Sequence, residues 1–292
     1  PAVLVLSDMP GFAHRQRAHD PERVLHLTVP TCDAIKGTSV PIPGGSWKES
    51  RIKLGALSRS VPRYLPDYRL DRTEASRDEL RDFVTQCRRL TPNPREGLFP
   101  IHWGREPSKD ERSLPATGLD WFEARSYCLS QGKDLPTVAQ WMKGARGGVY
   151  LDGDATARTR NPNAERRFPW GDDTPVAGEA DRLAFYSIVP QASHPVSRLF
   201  PVDSAQLGQS PYGILHMSGN AEEWVKTAPR VALSGQQARG FSDVLLDSGR
   251  MVFGGCFEST SLDEVRVDSW KILDPLARDP QVGFRCAEEP PL

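Results

Sequence analysis

No stretch of the chain says more about the fold than Tyr212-Gly-Ile-Leu-His-Met-Ser-Gly-Asn-Ala-Glu-Glu-Trp224. Within it, glycines interrupt short apolar pieces, and two glutamates precede the closing tryptophan. The same punctuation runs along the whole chain, because 24 glycines and 26 prolines make up about 17% of its 292 residues, against about 12% on average. Such frequent breaks leave no room for many long helices, and the sequence therefore predicts a compact, loop-rich α+β domain.

Charge and apolar patterning exclude two classes of partner. Lys plus Arg number 37 and Asp plus Glu 38, so the formal net charge is −1. A nearly neutral chain has no global field to attract nucleic acid or an anionic membrane surface. The longest apolar run, residues 2–6, is far shorter than the roughly 20 residues of a membrane span. We therefore expect no nucleic-acid partner and no membrane insertion.

Three helices are predicted because each begins at a capping box, in which two side chains satisfy the first backbone amides. The boxes are Ser76–Glu79, Asp120–Glu123 and Thr137–Gln140. The first helix is expected to run to about Cys87, the second to end before Gly132, and the third before Gly147. Short strands are expected at Ala184–Val189 and at Val252–Phe253, between turn-forming residues.

The chain divides into a short arm and one larger domain. Apolar stretches at Ala2–Leu6 and Val24–Leu27 flank a polar segment, which predicts either a small strand pair or an extended arm or linker over residues 1–40. No composition break follows Pro41, so residues 41–292 are predicted to form a single domain. The chain starts at Pro1 without an initiator methionine or a signal peptide. We therefore expect a longer natural protein and a cytoplasmic location.

The five cysteines, Cys32, Cys87, Cys128, Cys256 and Cys286, do not form a metal knuckle. No two have the CxxC spacing, and no histidine lies at zinc-finger spacing from them. An odd number also leaves at least one thiol free within a monomer.

Seven punctuated segments occur in a familiar order. They are Pro41–Trp47, Asp120–Gly132, Leu135–Gly148, Phe168-Pro-Trp-Gly171, Tyr212–Trp224, Phe253-Gly-Gly255 and Gly283-Phe-Arg-Cys286. Together they resemble the formylglycine-generating enzyme (sulfatase-modifying factor) family across residues 41–286. The resemblance implies a C-type-lectin-like fold, with small antiparallel sheets, flanking helices and much irregular loop. It also implies that Cys128 and Cys286 are neighbours, joined in a disulfide in an oxidising compartment or packed as reduced thiols in a reducing cytosol.

The catalytic pattern of the family is missing. Formylglycine-making relatives hold Cu(I) with two cysteines five residues apart after the Gly-Gly, because Cu(I) prefers soft thiolates. Those positions fall on Ser259 and Glu264 here, so a copper cofactor is not expected. Cys256 falls on a serine-like position beside them. It is either a small residue packed behind the turn or, with Glu264, a candidate catalytic residue if the chain is an enzyme.

Calcium is the one metal that the resemblance leaves open. Its ligands map to His216, the carbonyl oxygens of Gly219 and Ala221, and the Glu223 carboxylate. Ca²⁺ takes six to eight hard oxygen ligands, and an imidazole at position 216 removes one. A second family site would have Asp181 alone, so it is predicted to be absent.

The remaining groups of histidines, carboxylates and tryptophans are predicted to have structural rather than catalytic roles. A branch of the family that uses non-haem iron would need scaffolded histidines, but His14, His19 and His26 have no helical bundle around them and are predicted to be surface residues. The carboxylate pairs Asp172–Asp173, Glu222–Glu223 and Asp263–Glu264 are predicted to be mostly solvated loop charges. The tryptophans of the fold motifs, Trp121, Trp141, Trp170 and Trp224, are predicted to lie in the core.

The leading functional hypothesis is a non-catalytic binding module for a protein or small-molecule ligand, fused to or complexed with another domain in a larger bacterial signalling or effector protein. Its predicted ligand-binding face is Phe257, Glu258, Arg266, Asp268, Trp270, Lys271 and Arg278. The first alternative is a divergent family oxidase of a small-molecule or peptide substrate. The second is the variable receptor-binding protein of a diversity-generating retroelement, against which Lys271 and Gln281 argue because adenine mutation of Asn codons does not reach them.

Overall fold

The computed structural model describes residues 2–5, 26–29, 38–48, 62–90, 107–175, 199–229 and 242–288. The strands are β1 (Ala2–Val5), β2 (His26–Val29), β3 (Ser39–Ile42), β4 (Gly45–Lys48), β5 (Pro62–Leu65), β6 (Tyr68–Asp71), β7 (Glu222–Trp224), β8 (Arg250–Phe253), β9 (Trp270–Leu273), β10 (Val282–Gly283) and β11 (Ala287–Glu288). The helices are α1 (Arg77–Leu90), α2 (Trp121–Ser130), α3 (Val138–Arg146) and α4 (Asp243–Ser248). The predicted strand at 184–189, together with His14, His19 and Asp181, lies outside the described residues.

The strands form small sheets, as predicted. The largest has the order β10-β7-β8-β9, and a three-stranded sheet has the order β11-β6-β3. Two further antiparallel pairs are β4 with β5 and β1 with β2, the second joining the two apolar stretches of the predicted arm. The pair β10–β7 is parallel, which departs from the all-antiparallel expectation. Strand β3 crosses the expected domain boundary between residues 40 and 41.

The predicted capping boxes position the three long helices. Ser76, Asp120 and Thr137 each accept a hydrogen bond from the backbone amide three residues on, at 3.2, 2.9 and 3.2 Å respectively. Helices α2 and α3 end before Gly132 and Gly147, which have φ of +72° and +83°. The boundaries therefore follow local backbone chemistry, except that α1 runs three residues beyond Cys87.

Two large hydrophobic clusters form most of the core of the described residues, beside a small third one of Phe168 and Val265. The first packs α1 and α2 against the chain end, where the rings of Tyr127 and Phe284 meet edge to face at 5.2 Å. The second packs α3 against the sheets through Trp47 and Trp141. Of the four predicted core tryptophans, Trp121, Trp141 and Trp224 are fully buried. Trp170 is half-buried and stacks on Phe168.

A disulfide closes the first cluster. Cys128 on α2 is bonded to Cys286, with Cα atoms 5.4 Å apart across 158 residues of sequence. This is the pair that the family resemblance implies. Cys256 is a free, buried cysteine. In the part of the chain that the structure describes, no helix is long and apolar enough to cross a bilayer.

Candidate functional site

The Gly254-Gly255 turn at the end of β8 starts the region where the family carries its chemistry. Both glycines are left-handed, with φ of +95° and +67°. A Cβ on Gly255 would lie 2.5 Å from the carbonyl oxygen of Glu264, closer than real atoms approach. Glycine is therefore required here both for its backbone angle and for its lack of a side chain. The turn packs the returning loop tightly and places Cys256 directly after it.

The Cys256 thiol is enclosed and protonated. The residue is 2% exposed, and its Sγ donates to Oε1 of Gln281 at 3.4 Å. Ser259 Oγ lies 3.9 Å from the sulfur as a weak donor. Burial raises the pKa of the Cys256 thiol above its ordinary value. A buried thiol with a raised pKa supplies little of the thiolate that nucleophilic or metal chemistry uses.

The residues at the two copper positions are engaged within their own loop. Ser259 Oγ accepts from the backbone amide of Cys256 at 3.0 Å. The Glu264 carboxylate accepts from the backbone amide of Thr260 at 2.8 Å, and this bond lowers the pKa of Glu264. Neither group is a soft ligand, and both serve to shape the loop. The residues present therefore do not fit the family's Cu(I) site.

Glu222 is a site residue that the sequence analysis missed. Its side chain is 4% exposed, although an adjacent carboxylate pair was predicted to be solvated, and its Oε1 lies 2.5 Å from Nζ of Lys271. Burial raises the pKa of Glu222, and the Lys271 ammonium opposes that rise. Beside this pair, exposed Glu258 accepts a short hydrogen bond from Nε2 of Gln281.

The structure separates the predicted ligand-binding face into several groups. Glu258 and Lys271 are exposed near Cys256, and half-buried Phe257 donates its backbone amide to the Asn220 carbonyl at 2.8 Å. Trp270 precedes Lys271 in β9, so the two side chains point to opposite faces of the sheet. Trp270 packs against the second core cluster.

The charged residues of the face are paired. Arg266 donates two hydrogen bonds to Asp268, at 2.9 and 3.2 Å, and buried Arg146 lies 3.1 Å from the same carboxylate. Burial raises the pKa of Asp268, but these two guanidinium groups hold it below its ordinary value. Arg278 instead pairs with the N-terminal turn of α2, at 2.6 Å from Glu123.

A fully buried ion pair occupies the predicted calcium position. Arg285 donates from Nη2 and Nε to the two oxygens of Glu223, at 2.6 and 2.7 Å, and Trp141 Nε1 donates to one of them at 2.7 Å. Both carboxylate oxygens are thus engaged: Oε1 accepts from Arg285, and Oε2 accepts from both Arg285 and Trp141. His216 is bonded through Nδ1 to Glu74 at 2.9 Å. The Glu223 carboxylate, engaged at both oxygens, therefore does not fit a calcium ligand, which needs an uncommitted oxygen.

The comparison with protein families decides the assignment. The model of the sulfatase-modifying factor enzyme 1-like domain matches residues 28–290. The chain belongs to this family.

Relatives of this sulfatase-modifying factor domain include enzymes and a protein named as inactive. It is 26% identical over 284 residues to hercynine oxygenase of Mycolicibacterium smegmatis, covering 88% of this chain and 59% of that protein. It is 27% identical over 223 residues to inactive C-alpha-formylglycine-generating enzyme 2 of Bos taurus, covering 72% of this chain and 63% of the relative. Both relatives are longer than this chain, which spans 59% and 63% of their respective lengths.

Solved structures show the same fold for the sulfatase-modifying factor domain. Treponema denticola variable protein 1 superimposes with a TM-score of 0.58 at 16% identity, covering 90% of this chain and 98% of that one. At this identity the likeness concerns the fold alone. The α+β, C-type-lectin-like architecture that the sequence predicts is confirmed.

Replacing Lys271 with alanine in this sulfatase-modifying factor domain is expected to destabilise it in a pH-dependent manner. The change leaves the buried Glu222 carboxylate unpaired, at a cost of about 1–3 kcal/mol in the free energy of unfolding at pH 7. The pKa of Glu222 is already raised, so its carboxyl becomes protonated as the pH falls towards the ordinary pKa range of a glutamate. The loss in the free energy of unfolding should then become smaller. Urea unfolding at pH 7 and pH 4.5 measures both values.

The matched control for Lys271→Ala is the double variant with Glu222→Gln, which has no charge to leave unpaired and should recover most of the lost stability at pH 7. An equal loss at both pH values would contradict the assigned pair.

Proposed function

We propose that this domain is a ligand-binding module on the formylglycine-generating enzyme scaffold, non-catalytic at the position where the family binds copper. The observation that carries the proposal is the engagement of Ser259 and Glu264 in their own loop. These side chains leave Cys256 as a single buried thiol, which cannot provide a pair of thiolates. A scaffold that holds irregular loops in place, without that chemistry, is suited to recognition.

The recognition surface that we propose is smaller than the predicted face. We define it as the polar face, formed by Phe257, Glu258, Lys271 and Gln281 with Glu222 beneath. Glu258 and Lys271 are exposed and opposite in charge, and each is held by a polar partner. Side chains held before binding lose less conformational entropy when a ligand arrives. A ligand with a cationic and an anionic group, such as a peptide segment, fits this pair.

Two further proposals concern the setting of the domain. We propose that it works within, or in complex with, a larger bacterial signalling or effector protein, which agrees with the greater length of its relatives. One observation supports the alternative of a divergent oxidase, namely the similarity to an oxygenase. The catalytic residues of such an oxidase would be Cys256 and Glu264. The likeness to a protein named as inactive supports the binding module.

Copper binding separates the module from the oxidase. We expect the purified domain to lose added Cu(I) to a chromophoric chelator, because a neutral, buried thiol is a poor ligand. The double variant Ser259→Cys with Glu264→Cys, which restores two thiols at the family positions, is the positive control. The proposal would be overturned in favour of the oxidase if each wild-type chain kept one copper ion in the presence of the chelator and the Cys256→Ala variant did not.

Binding itself is tested with an immobilised library of short peptides that carry both charges. We expect the wild-type domain to retain a subset of them and the double variant Glu258→Gln with Lys271→Met to release that subset. Lys109→Met, which removes an exposed lysine from the 3-10 helix Lys109–Glu111, is the control and should bind like the wild type. Equal binding by all three proteins, or no binding by the wild type, would rule out the polar face as a peptide site.

A further inference from the structure

Strand β9 forms one edge of the largest sheet. In the order β10-β7-β8-β9, and within the part of the chain that the structure describes, it pairs with β8 alone. The outer side of an edge strand carries backbone amides and carbonyls to which a further strand can add. Which residues of β9 offer those groups follows from the register of the sheet.

The backbone groups of the neighbouring strand β8 alternate between its two partners. The Met251 carbonyl accepts from the backbone amide of Val225 at 3.1 Å, so Met251 points its backbone groups to the β7 side. The backbone amide of Gly254 donates to the Ser269 carbonyl at 3.4 Å, so this amide points to the β9 side. Consecutive residues of a strand point their amides and carbonyls to alternate sides. Val252, which follows Met251, therefore points its backbone groups towards β9.

The backbone of Ile272 points to the outer edge of the sheet. Lys271 lies opposite Val252 and faces β8, so the amide and carbonyl of the next residue, Ile272, point away from β8. Neither group has a hydrogen-bond partner among the described residues. A single residue of this kind can hold an antiparallel strand, because two opposite residues then exchange both of their hydrogen bonds.

The two faces of β9 differ in chemistry. Trp270 and Ile272 are half-buried and pack against the second core cluster. Lys271 points to the other face, where its side chain is 53% exposed and pairs with Glu222. An added strand would continue the pleat. Its residues opposite Trp270 and Ile272 would lie on the apolar face, and the residue between them would lie beside Lys271.

We propose that the domain binds its ligand by strand addition, in which an extended peptide segment pairs antiparallel with β9 through Ile272. The segment would carry an acidic residue between two apolar ones. The apolar side chains would extend the second core cluster beside Trp270 and Ile272. The acidic side chain would lie opposite Lys271, where an opposite charge is favourable and a like charge is unfavourable. This inference rests on the proposed binding function and names the ligand of the polar face.

Strand addition separates affinity from specificity. Main-chain hydrogen bonds to the edge provide affinity for an extended segment, and the alternate side chains select its sequence. Lys271 contributes to both, because it lies in β9 and also belongs to the polar face. The acidic residue is then the anionic group of the ligand proposed above, and exposed Glu258 is left for the cationic group.

The test uses a fluorescein-labelled peptide, Lys-Thr-Val-Glu-Val-Thr, whose affinity for the wild-type domain is measured by fluorescence anisotropy. In the proposed pairing the two valine amides point towards β9, and the glutamate amide between them points away from it. Methylation of both valine amides should therefore weaken binding by about tenfold or more, because hydrogen bonds to the edge are lost. Methylation of the glutamate amide alone is the matched control and should leave the affinity unchanged.

The corresponding change in the protein is Ile272→Pro, which removes the outward amide of β9. Proline is tolerated in an edge strand where the missing amide points outward, so the variant should fold, which circular dichroism verifies. We expect it to bind the unmodified peptide about tenfold more weakly, whereas Lys109→Met should bind like the wild type. If the proline variant does not fold, the methylated peptides decide the question with the wild-type domain alone.

Equal affinities of the wild type for the unmodified peptide and for the peptide methylated at both valines would overturn strand addition. If the Glu258→Gln with Lys271→Met variant released both peptides, the polar face would remain a peptide site and the strand addition alone would be wrong. Absence of binding to any peptide would overturn both proposals. A wild-type dimer that Ile272→Pro dissociates in size-exclusion chromatography would also overturn strand addition by a ligand, because a second copy of the chain would then occupy the edge.

Discussion

Replacing Arg285 with methionine is expected to lower the free energy of unfolding by about 3–5 kcal/mol, the largest effect of any single substitution considered. Arg285 and Glu223 are both 0% exposed and lie 2.6 Å apart. Removing the guanidinium leaves a carboxylate charge buried without a cation. It also removes the donor that Arg285 Nη2 provides to the Leu215 carbonyl at 2.8 Å. Urea unfolding followed by tryptophan fluorescence measures the loss.

An exposed arginine provides the control for that prediction. Arg278 lies as close to Glu123 as Arg285 lies to Glu223, at 2.6 Å, but its side chain is 33% exposed. Arg278→Met should therefore cost less than about 1 kcal/mol. In a double-mutant cycle, adding Glu223→Leu to Arg285→Met should recover part of the loss, because no buried charge remains. If Arg285→Met were as mild as Arg278→Met, the pair would not be buried as described.

The disulfide is expected to contribute the second large effect. Replacing both Cys128 and Cys286 with alanine should lower the free energy of unfolding by about 2–5 kcal/mol, because the bond closes a long loop and restricts the unfolded chain. The two cysteines are separated by 158 residues. Reduction of the wild type with dithiothreitol should bring its stability close to that of the double variant, since both then lack the cross-link.

Cys256→Ala is the control for the disulfide, since it removes a buried thiol that is not cross-linked. It should change stability by much less, and reduction should lower its stability as much as that of the wild type. Loss of the reductant effect in Cys256→Ala, or its persistence in the double variant, would contradict the assigned bond.

Features that depend on neighbouring residues could be predicted from the sequence. The capping boxes at Ser76, Asp120 and Thr137 involve groups three residues apart, and such contacts form wherever the backbone turns into a helix. The order of the punctuated segments identified the family, and the family identified the cysteine pair. The substitutions at Ser259 and Glu264 could likewise be recognised, because the Gly-Gly before them sets the register.

Features that depend on distant partners could not be predicted. Glu222 belonged to a set of carboxylates expected to be mostly solvated, and Glu223 was mapped to a calcium site, yet both are buried and paired with different cations. Successive side chains along β7 point to opposite faces of the sheet. Each carboxylate therefore meets the cation that lies on its own face. Glu74 gave no signal because its contact with His216 spans 142 residues.

The amino-acid sequence was sufficient for the α+β class, the family, the helix boundaries and the absence of the copper thiols, because each depends on residue type at short spacing. The tertiary structure was needed for the partners of the buried charges and for the division of the predicted ligand-binding face at Trp270 and Lys271. Those arrangements arise when sheet register and loop closure bring distant residues within hydrogen-bond distance. Burial makes each of these pairings important for stability, because a buried polar group that loses its partner cannot form a hydrogen bond with water instead.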